Sequence, residues 1–343
     1  LHDGMAYSTS RNPKKSKSQT YRRMDVLNKS KMKQLLIIIF ILIAGGAKGY
    51  TKDFDYSHIT PHPRLLLKEG EERNIHMVLQ KNTVLQAFHK RILDYCDETL
   101  KEPPVKRIKE GKRLLGVSRI VLKRVFYLSY AYRMTSEEKY LRRAEKEMLA
   151  AASFTDWNPS HFLDVSEMSM GLAIGYDWLF NELLPDSRKK IRQAIVEKAI
   201  EASKTKHASF YKSRTNWNQV CNGGLVCSAL AIYEDEPEKT KEIINKALQT
   251  VPLALECYAP DGGYPEGFGY WSYGTSYQVM LNDALESSLG HDAGLSDYPG
   301  FLQSAQYIQY MTAPTGDCFN FSDASPKAYG NIMMFWFAHK TKN

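Results

Sequence analysis

The chain has 343 residues, of which 43% are hydrophobic, 24% charged and 12% aromatic. This composition excludes a disordered, a collagen-like or a small disulfide-rich protein, because the chain can bury one large core or two modest ones. The net charge of +8 does not indicate a nucleic-acid-binding protein. Residues 1–31 hold eight Lys or Arg against two Asp, which gives them a net charge of +6. Residues 32–343 therefore carry a net charge of only +2.

Residues 32–49 have the order of a secretory signal peptide. Lys33 precedes ten apolar residues at 35–44, and small residues close the segment. A membrane-spanning helix needs about 20 apolar residues, so a cleaved leader is favoured over an anchor. We therefore predict that residues 1–31 are a non-native upstream leader, that residues 32–49 are a signal peptide, and that the protein is periplasmic or secreted.

The cysteines show no metal or redox pattern. No C-x-x-C pair is present, and no two cysteines have the spacing of zinc ligands. We interpret them as small buried apolar residues and predict no cofactor and no metal. The five cysteines are Cys96, Cys221, Cys227, Cys257 and Cys318.

From residue 68 onward the apolar residues recur with a helical period. The stretches 120–131 and 140–151 each favour one apolar face, and residues 135–138 between them carry a helix-capping pattern. These two stretches therefore predict a helical hairpin. Further helices are predicted as two segments between 68 and 100, and at 162–181, 186–206, 219–234, 237–258, 271–289 and 297–312.

The order of these segments predicts the fold class. No alternating pattern long enough for a sheet precedes residue 318. Consecutive helical hairpins build either a solenoid or a closed ring, and a solenoid would show a fixed short repeat that is absent here. The sequence predicts an all-α protein, an incomplete (α/α) toroid of consecutive antiparallel helical hairpins, over residues 50–343.

A first candidate binding segment lies at residues 214–224. Arg214, Asn216, Asn218 and Gln219 stand close together before a predicted helix. Amide side chains hydrogen-bond carboxylates and hydroxyls, and a helix N-terminus adds backbone donors for negative charge. The segment therefore suits an anionic sugar, with helix capping by either asparagine as the alternative.

A second candidate segment lies at residues 261–277. Five glycines permit tight backbone turns, and the aromatic residues are denser than a turn requires. Sugar rings stack their apolar faces on such aromatic planes. Tyr270, Tyr273 and Tyr277 follow helical spacing on one face, so they predict a glycan-binding wall, with an aromatic core as the alternative for Tyr277.

A third stretch, residues 161–178, carries acidic residues on a predicted helix. Glu167 and Asp177 lie about 80° apart around the helix axis, so both could face one cleft. The alternative is that these acids cap the helix and anchor its packing.

An ordered set of motifs resembles the heparinase II/III-like polysaccharide lyases. The similarity spans about residues 56–338. It implies an α/α toroid followed by a β-sandwich domain, and cleavage of an acidic, uronate-containing polysaccharide by β-elimination. The motifs are HPRLLL at 62–67, YDWL at 176–179, NWN with a following GG at 216–224, DGGYPEG at 261–267 and FNFSD at 319–323.

The resemblance also implies roles for individual residues. It places Asn218 as the group that neutralises the uronate carboxylate, and Tyr273 or Tyr270 as the residue that transfers a proton. Such a tyrosine needs a basic neighbour if it is to act as a base. The residues expected to bind substrate are Asn216, Trp217, Arg214, Glu266, Trp271 and Tyr264.

One departure from the family concerns histidine. Members carry a catalytic histidine on the β-sandwich domain, which needs about 100 residues or more, and this sequence stops at Asn343. We expect either a fragment truncated before that domain or a degenerate member. His161 and His207 are interpreted as structural.

Two other functions are kept as alternatives. An inverting glycoside hydrolase would need two carboxylates about 6.5–9.5 Å apart beside a sugar site, with Glu266, Asp261 or Asp177 as candidates. A glycan-binding fragment without catalytic activity would bind an acidic oligosaccharide and leave it uncut. Neither alternative involves nucleic acid or, after signal removal, a membrane.

Overall fold

The structure, a computed structural model, describes residues 54–321 and 323–342. The predicted upstream leader and signal peptide lie outside the described residues. Within these ranges the chain is all-α, as predicted, and only isolated β-bridges accompany the helices. The α-helices are α1 (Glu72–Leu79), α2 (Thr83–Lys101), α3 (Leu115–Thr135), α4 (Glu138–Ala152), α5 (Phe162–Trp178), α6 (Pro185–Ile195), α7 (Asn216–Ala231), α8 (Pro237–Thr250), α9 (Pro252–Leu255), α10 (Gly267–Leu289), α11 (Ser304–Tyr310) and α12 (Met333–Thr341).

Four long helices form an inner row in the order α3, α5, α7 and α10. Every residue of α5 is buried, and so is every residue of α7 except Trp217. A helix buried on all sides must be surrounded by protein, and α4, α6 and α8 pack behind the row as the second members of hairpins. Closure of this row into a toroid stays a prediction.

Small residues let the inner helices approach closely. A Cβ added at Gly171 of α5 would lie 2.8 Å from the Cα of Leu122 on α3. A Cβ added at Gly224 of α7 would likewise be too close to the backbone of Ser166 on α5. These glycines sit in helix interiors because the neighbouring backbone leaves no room for a side chain.

Several helix boundaries differ from the predicted ones. Helix α7 begins at Asn216 and α10 at Gly267, three and four residues before the predicted starts, so much of each predicted loop is helical. Asn and Gly have low helix propensity, but packing in the inner row overrides it. Helix α6 ends at Ile195 and continues into a π-helical turn, before the predicted end at residue 206. Helix α11 begins at Ser304, after the predicted start at residue 297.

The segment before α1 is fixed to the far end of α5. Asp177 accepts hydrogen bonds from the backbone amides of Arg64 (2.9 Å) and Leu65 (2.8 Å) and from Nδ1 of His62 (2.5 Å). Arg64 also donates to Glu234, which follows α7. This buried network ties three parts of the chain together.

The cysteine thiols are all free, and four of the five are buried, in keeping with small apolar residues. Burial raises the pKa of Cys96 to about 12. Cys257 is half-buried. Among the described helices, none combines the length and the apolar content that a bilayer crossing requires.

Candidate active site

A cleft of about 950 Å³ lies where all four inner helices begin. Its lining includes residues at the starts of α3, α5, α7 and α10, and residues 329–332 form part of its wall. Backbone N–H groups at a helix N-terminus are unpaired and carry positive partial charge. Four such ends at one cleft favour an anionic ligand, and Glu266, which accepts the first amide of α7, opposes this effect at one of them.

Tyr273 lies in this cleft with a carboxylate and a guanidinium. Its hydroxyl donates a short hydrogen bond to the carboxylate of Glu167 on α5. Arg119 of α3 donates through Nε to both Glu167 oxygens at 3.2 Å, and its guanidinium carbon lies 5.3 Å from the centre of the Tyr273 ring. Three helices of the inner row therefore contribute one group each.

The surroundings of Tyr273 keep its hydroxyl protonated. Burial raises the pKa of Tyr273 far above its usual value, and the charge and hydrogen bond of Glu167 raise it further, while Arg119 opposes them. Burial also raises the pKa of Glu167, against the opposing effect of Arg119. At neutral pH the hydroxyl therefore carries the proton that a general acid must supply.

His161, directly before α5, lines the same cleft. Its Nδ1 lies 2.6 Å from Oδ1 of Asp164, which is fully buried. The other oxygen of Asp164 accepts from the amide of Leu114 and from Nδ2 of Asn158, each at 2.6 Å. Asp164 thus has one fixed position, and it holds the imidazole ring at the cleft.

Asn216 and Trp217, in the first turn of α7, line the cleft together with Glu266. Glu266 accepts the backbone amide of Asn216 at 2.7 Å and its Nδ2 at 3.0 Å, so this carboxylate caps α7. The indole of Trp217 meets the His161 ring edge to face, with centroids 5.0 Å apart. Of the predicted binding residues, these three lie at the cleft.

Asn218 does not line the cleft. It is fully buried, and its Nδ2 donates to the backbone carbonyls of Ser213 at 3.0 Å and Thr250 at 2.9 Å. Its Oδ1 accepts from Asn222. Both of its polar atoms are therefore used inside the protein, because the helix starts at Asn216 and directs the asparagine two residues later into the core.

Tyr270 lies at the rim of the cleft rather than beside the Glu167–Arg119 pair. Its hydroxyl donates to Asp323 at 3.0 Å, and this hydrogen bond raises its pKa, with burial as a smaller cause. Arg113, before α3, lies at the same rim. The geometry distinguishes the two candidate tyrosines, since only Tyr273 has a cation at its ring.

The remaining predicted binding residues lie away from the cleft lining. Arg214 is exposed and pairs with Glu256 at 3.1 Å. Trp271 is fully buried, and Tyr264 is buried with its hydroxyl on Glu266 at 3.0 Å. Tyr277 is also buried, as its core alternative predicted.

The carboxylates proposed for a hydrolase do not meet. Asp177 is fully buried and lies 16 residues after His161, which is about 24 Å along the axis of α5 and at its opposite end. Asp261 is exposed in the turn before α10 and accepts the amide of Gly263. Neither residue lines the cleft with Glu266.

Sequence reasoning missed Arg119 and interpreted His161 as structural. Arg119 follows no local motif, because it reaches Glu167 only through the packing of α3 on α5. The histidine carried a detectable signal, since His161 and Asp164 have the three-residue spacing that brings side chains together at a helix start. The same spacing is also typical of a cap.

A comparison with sequence models of known protein families and a comparison with curated proteins each find no match to this chain.

Proposed function

We propose that the protein is an exported polysaccharide lyase that cleaves an acidic, uronate-containing polysaccharide by β-elimination. The observation that carries the proposal is the Tyr273 hydroxyl, held by Glu167 and covered by Arg119, in a cleft where four helices begin. The motif resemblance to heparinase II/III-like lyases and the signal-peptide pattern at residues 32–49 add to it.

The chemistry of elimination explains this set of groups. Removal of the proton next to a carboxylate places negative charge on that carboxylate, so the site must supply cations or donors there. Arg119 and the helix N-termini supply both at the cleft. Asn218, which the resemblance implied for this role, is enclosed in the core.

The second requirement is a proton for the departing oxygen. When the bond between C4 and the glycosidic oxygen breaks, the oxygen leaves as an alkoxide unless an acid protonates it. Tyr273 keeps its proton at neutral pH, and Arg119 beside its ring stabilises the tyrosinate that forms. The tyrosine is therefore assigned as the acid of the reaction.

The hydrolase alternative has less support. Of the three hydrolase candidates only Glu266 lines the cleft, and Glu266 itself caps α7. The same hydrogen-bonded tyrosine is compatible with a glycan-binding protein without catalytic activity, and the product assay distinguishes the two functions.

The test is the product formed from acidic glycans. The purified chain is incubated with a panel of unsulfated and sulfated uronate polysaccharides, and ultraviolet absorbance of the unsaturated uronate is recorded beside new reducing ends. We expect absorbance and reducing ends to rise together. Reducing ends without absorbance would identify a hydrolase, and affinity without either would identify a binding protein.

A further inference from the structure

We propose that His161 is the base that removes the C5 proton of the uronate, so that the helical domain itself holds both proton-transfer groups. The inference rests on the proposed lyase function. It departs from the resemblance, which implies a catalytic histidine on a separate β-sandwich domain.

The first argument is the orientation of the imidazole. An ionised carboxylate only accepts hydrogen bonds, so Nδ1 of His161 carries the proton that Asp164 accepts at 2.6 Å. In the neutral ring Nε2 then has the free lone pair. Asp164 is itself fixed by Leu114 and Asn158, so the ring has a rigid support.

The second argument is the position of His161 relative to the acid. His161 stands at the start of α5, and Glu167 follows six residues later, about 9 Å along the helix axis. Tyr273 enters the same cleft from α10. A sugar ring in the cleft can therefore be reached by the histidine and the tyrosine from two different helices.

The third argument is the charge around the ring. The charged and titratable groups that line the cleft with His161 are Arg113 and Arg119 from the α3 side, Glu266, Tyr270 and Tyr273 from the α10 side, and Asp323. Charges of both signs therefore line the cleft around the ring, and Asp164 on Nδ1 stabilises the imidazolium that forms when Nε2 takes up the C5 proton.

The step balances without a further reactant. The C5–H bond breaks and its proton goes to Nε2 of His161, while its electron pair forms the C4=C5 double bond. The bond from C4 to the glycosidic oxygen breaks, and that oxygen takes the proton of Tyr273. The imidazolium and the tyrosinate return to their starting states by proton exchange through water.

The experiment compares two variants of the full chain on the polysaccharide that gives the fastest absorbance rise with the wild type. In His161→Asn the amide still donates to Asp164, but no base remains. We expect kcat to fall at least about 100-fold with KM within about threefold, because a positioned base contributes 10²–10⁴-fold. In His161→Gly, added imidazole should raise kcat at least about tenfold above that of the same variant without imidazole.

A pH profile gives a readout that a purely structural role would not change. The acid limb of kcat/KM in the wild type should disappear in His161→Asn, because no imidazole remains to be protonated. If His161→Asn fails to fold by circular dichroism, His161→Gln is measured against the same limits. A folded variant with kcat within threefold of the wild type would overturn the inference and leave the lyase proposal intact. A wild type that forms no unsaturated product overturns both.

Discussion

Tyr273 and Tyr270 stand one helical turn apart, yet their surroundings differ. The Tyr273 hydroxyl meets Glu167, and Arg119 lies over its ring. The Tyr270 hydroxyl meets Asp323 at the rim. The spacing in the sequence identified both residues as candidates, and only the positions of α3 and α5 distinguish Tyr273, the proposed acid, from Tyr270.

Substitution of each tyrosine by phenylalanine should therefore give unequal results. For Tyr273→Phe we expect kcat for elimination to fall about 10²–10⁴-fold, because the acid is lost while the ring stays. For Tyr270→Phe, the matched control, we expect a change of at most about tenfold, mainly in KM. Initial rates of absorbance increase measure both. Equal losses would contradict the assignment of Tyr273.

The pH dependence of the reaction should respond to Glu167. Its negative charge and its hydrogen bond raise the pKa of Tyr273, so Glu167→Gln lowers that pKa. An acid works only while protonated, and the alkaline limb of kcat should move to lower pH in the variant. The measurement is the pH at which kcat falls to half on the alkaline side, in the wild type and in the variant, over the range in which circular dichroism shows both folded. An alkaline limb at the same pH or at a higher pH in the variant would refute the coupling.

At the scale of helices, the inner row depends on the glycines at its crossings. Patterns of apolar residues predicted most of the helices, because a one-sided or continuous apolar stretch is a strong signal. The starts of α7 and α10 were predicted too late, since Asn and Gly disfavour a helix locally. Only the close approach of a neighbouring helix explains why residues such as Gly171 and Gly224 are needed there.

Gly171→Ala should destabilise the protein. The added Cβ would lie 2.8 Å from the Cα of Leu122, and backbone cannot move aside as a side chain can. We expect the free energy of unfolding to fall by about 1–3 kcal/mol, the usual cost of overpacking. Urea unfolding followed by circular dichroism gives the value.

Gly116→Ala on α3 is the matched control for that substitution. Its added Cβ would meet only the side chain of Glu110 at 3.4 Å. Alanine favours a helix over glycine by about 1 kcal/mol, so the control should be neutral or stabilising. If Gly116→Ala lowered the free energy of unfolding as much as Gly171→Ala, the close helix crossing at Gly171 would not be the cause of the loss.

At the scale of the whole molecule, the chain is tied together by the network around Asp177. The motifs at residues 62–67 and 176–179, noted first for a family resemblance, meet in this network. Their role is structural, since Asp177 accepts two backbone amides and the His62 ring at the end of α5 away from the cleft. The sequence contained both motifs, but nothing local to either one indicates the contact.

The pH dependence of stability should reveal this network through Glu234. Burial alone would raise the pKa of Glu234, but hydrogen bonds from His62 and Arg64 outweigh it and lower the pKa from 4.5 to about 2. A carboxyl group with a lowered pKa stabilises the fold above its unfolded pKa, and that contribution is lost as pH falls from about 4.5 to about 2.

Glu234→Gln should therefore lower the urea midpoint at pH 6, and the difference from the wild type should shrink as pH falls from about 4.5 through about 2, below which the carboxyl is protonated in both states. Glu238→Gln, which removes an exposed ion pair with Lys241, is the control and should change little at any pH. A constant difference across this range would exclude the ionised Glu234 as its source.

Helix α5 is enclosed along its whole length, and it carries Glu167 and Asp164. Local melting of a region requires few apolar contacts and exposed backbone, neither of which α5 offers. Heating should consequently abolish turnover and helical circular dichroism at the same midpoint, with no inactive but folded state between them. Glu167 and Asp164, which orient Tyr273 and His161, would then lose their positions only when the core unfolds.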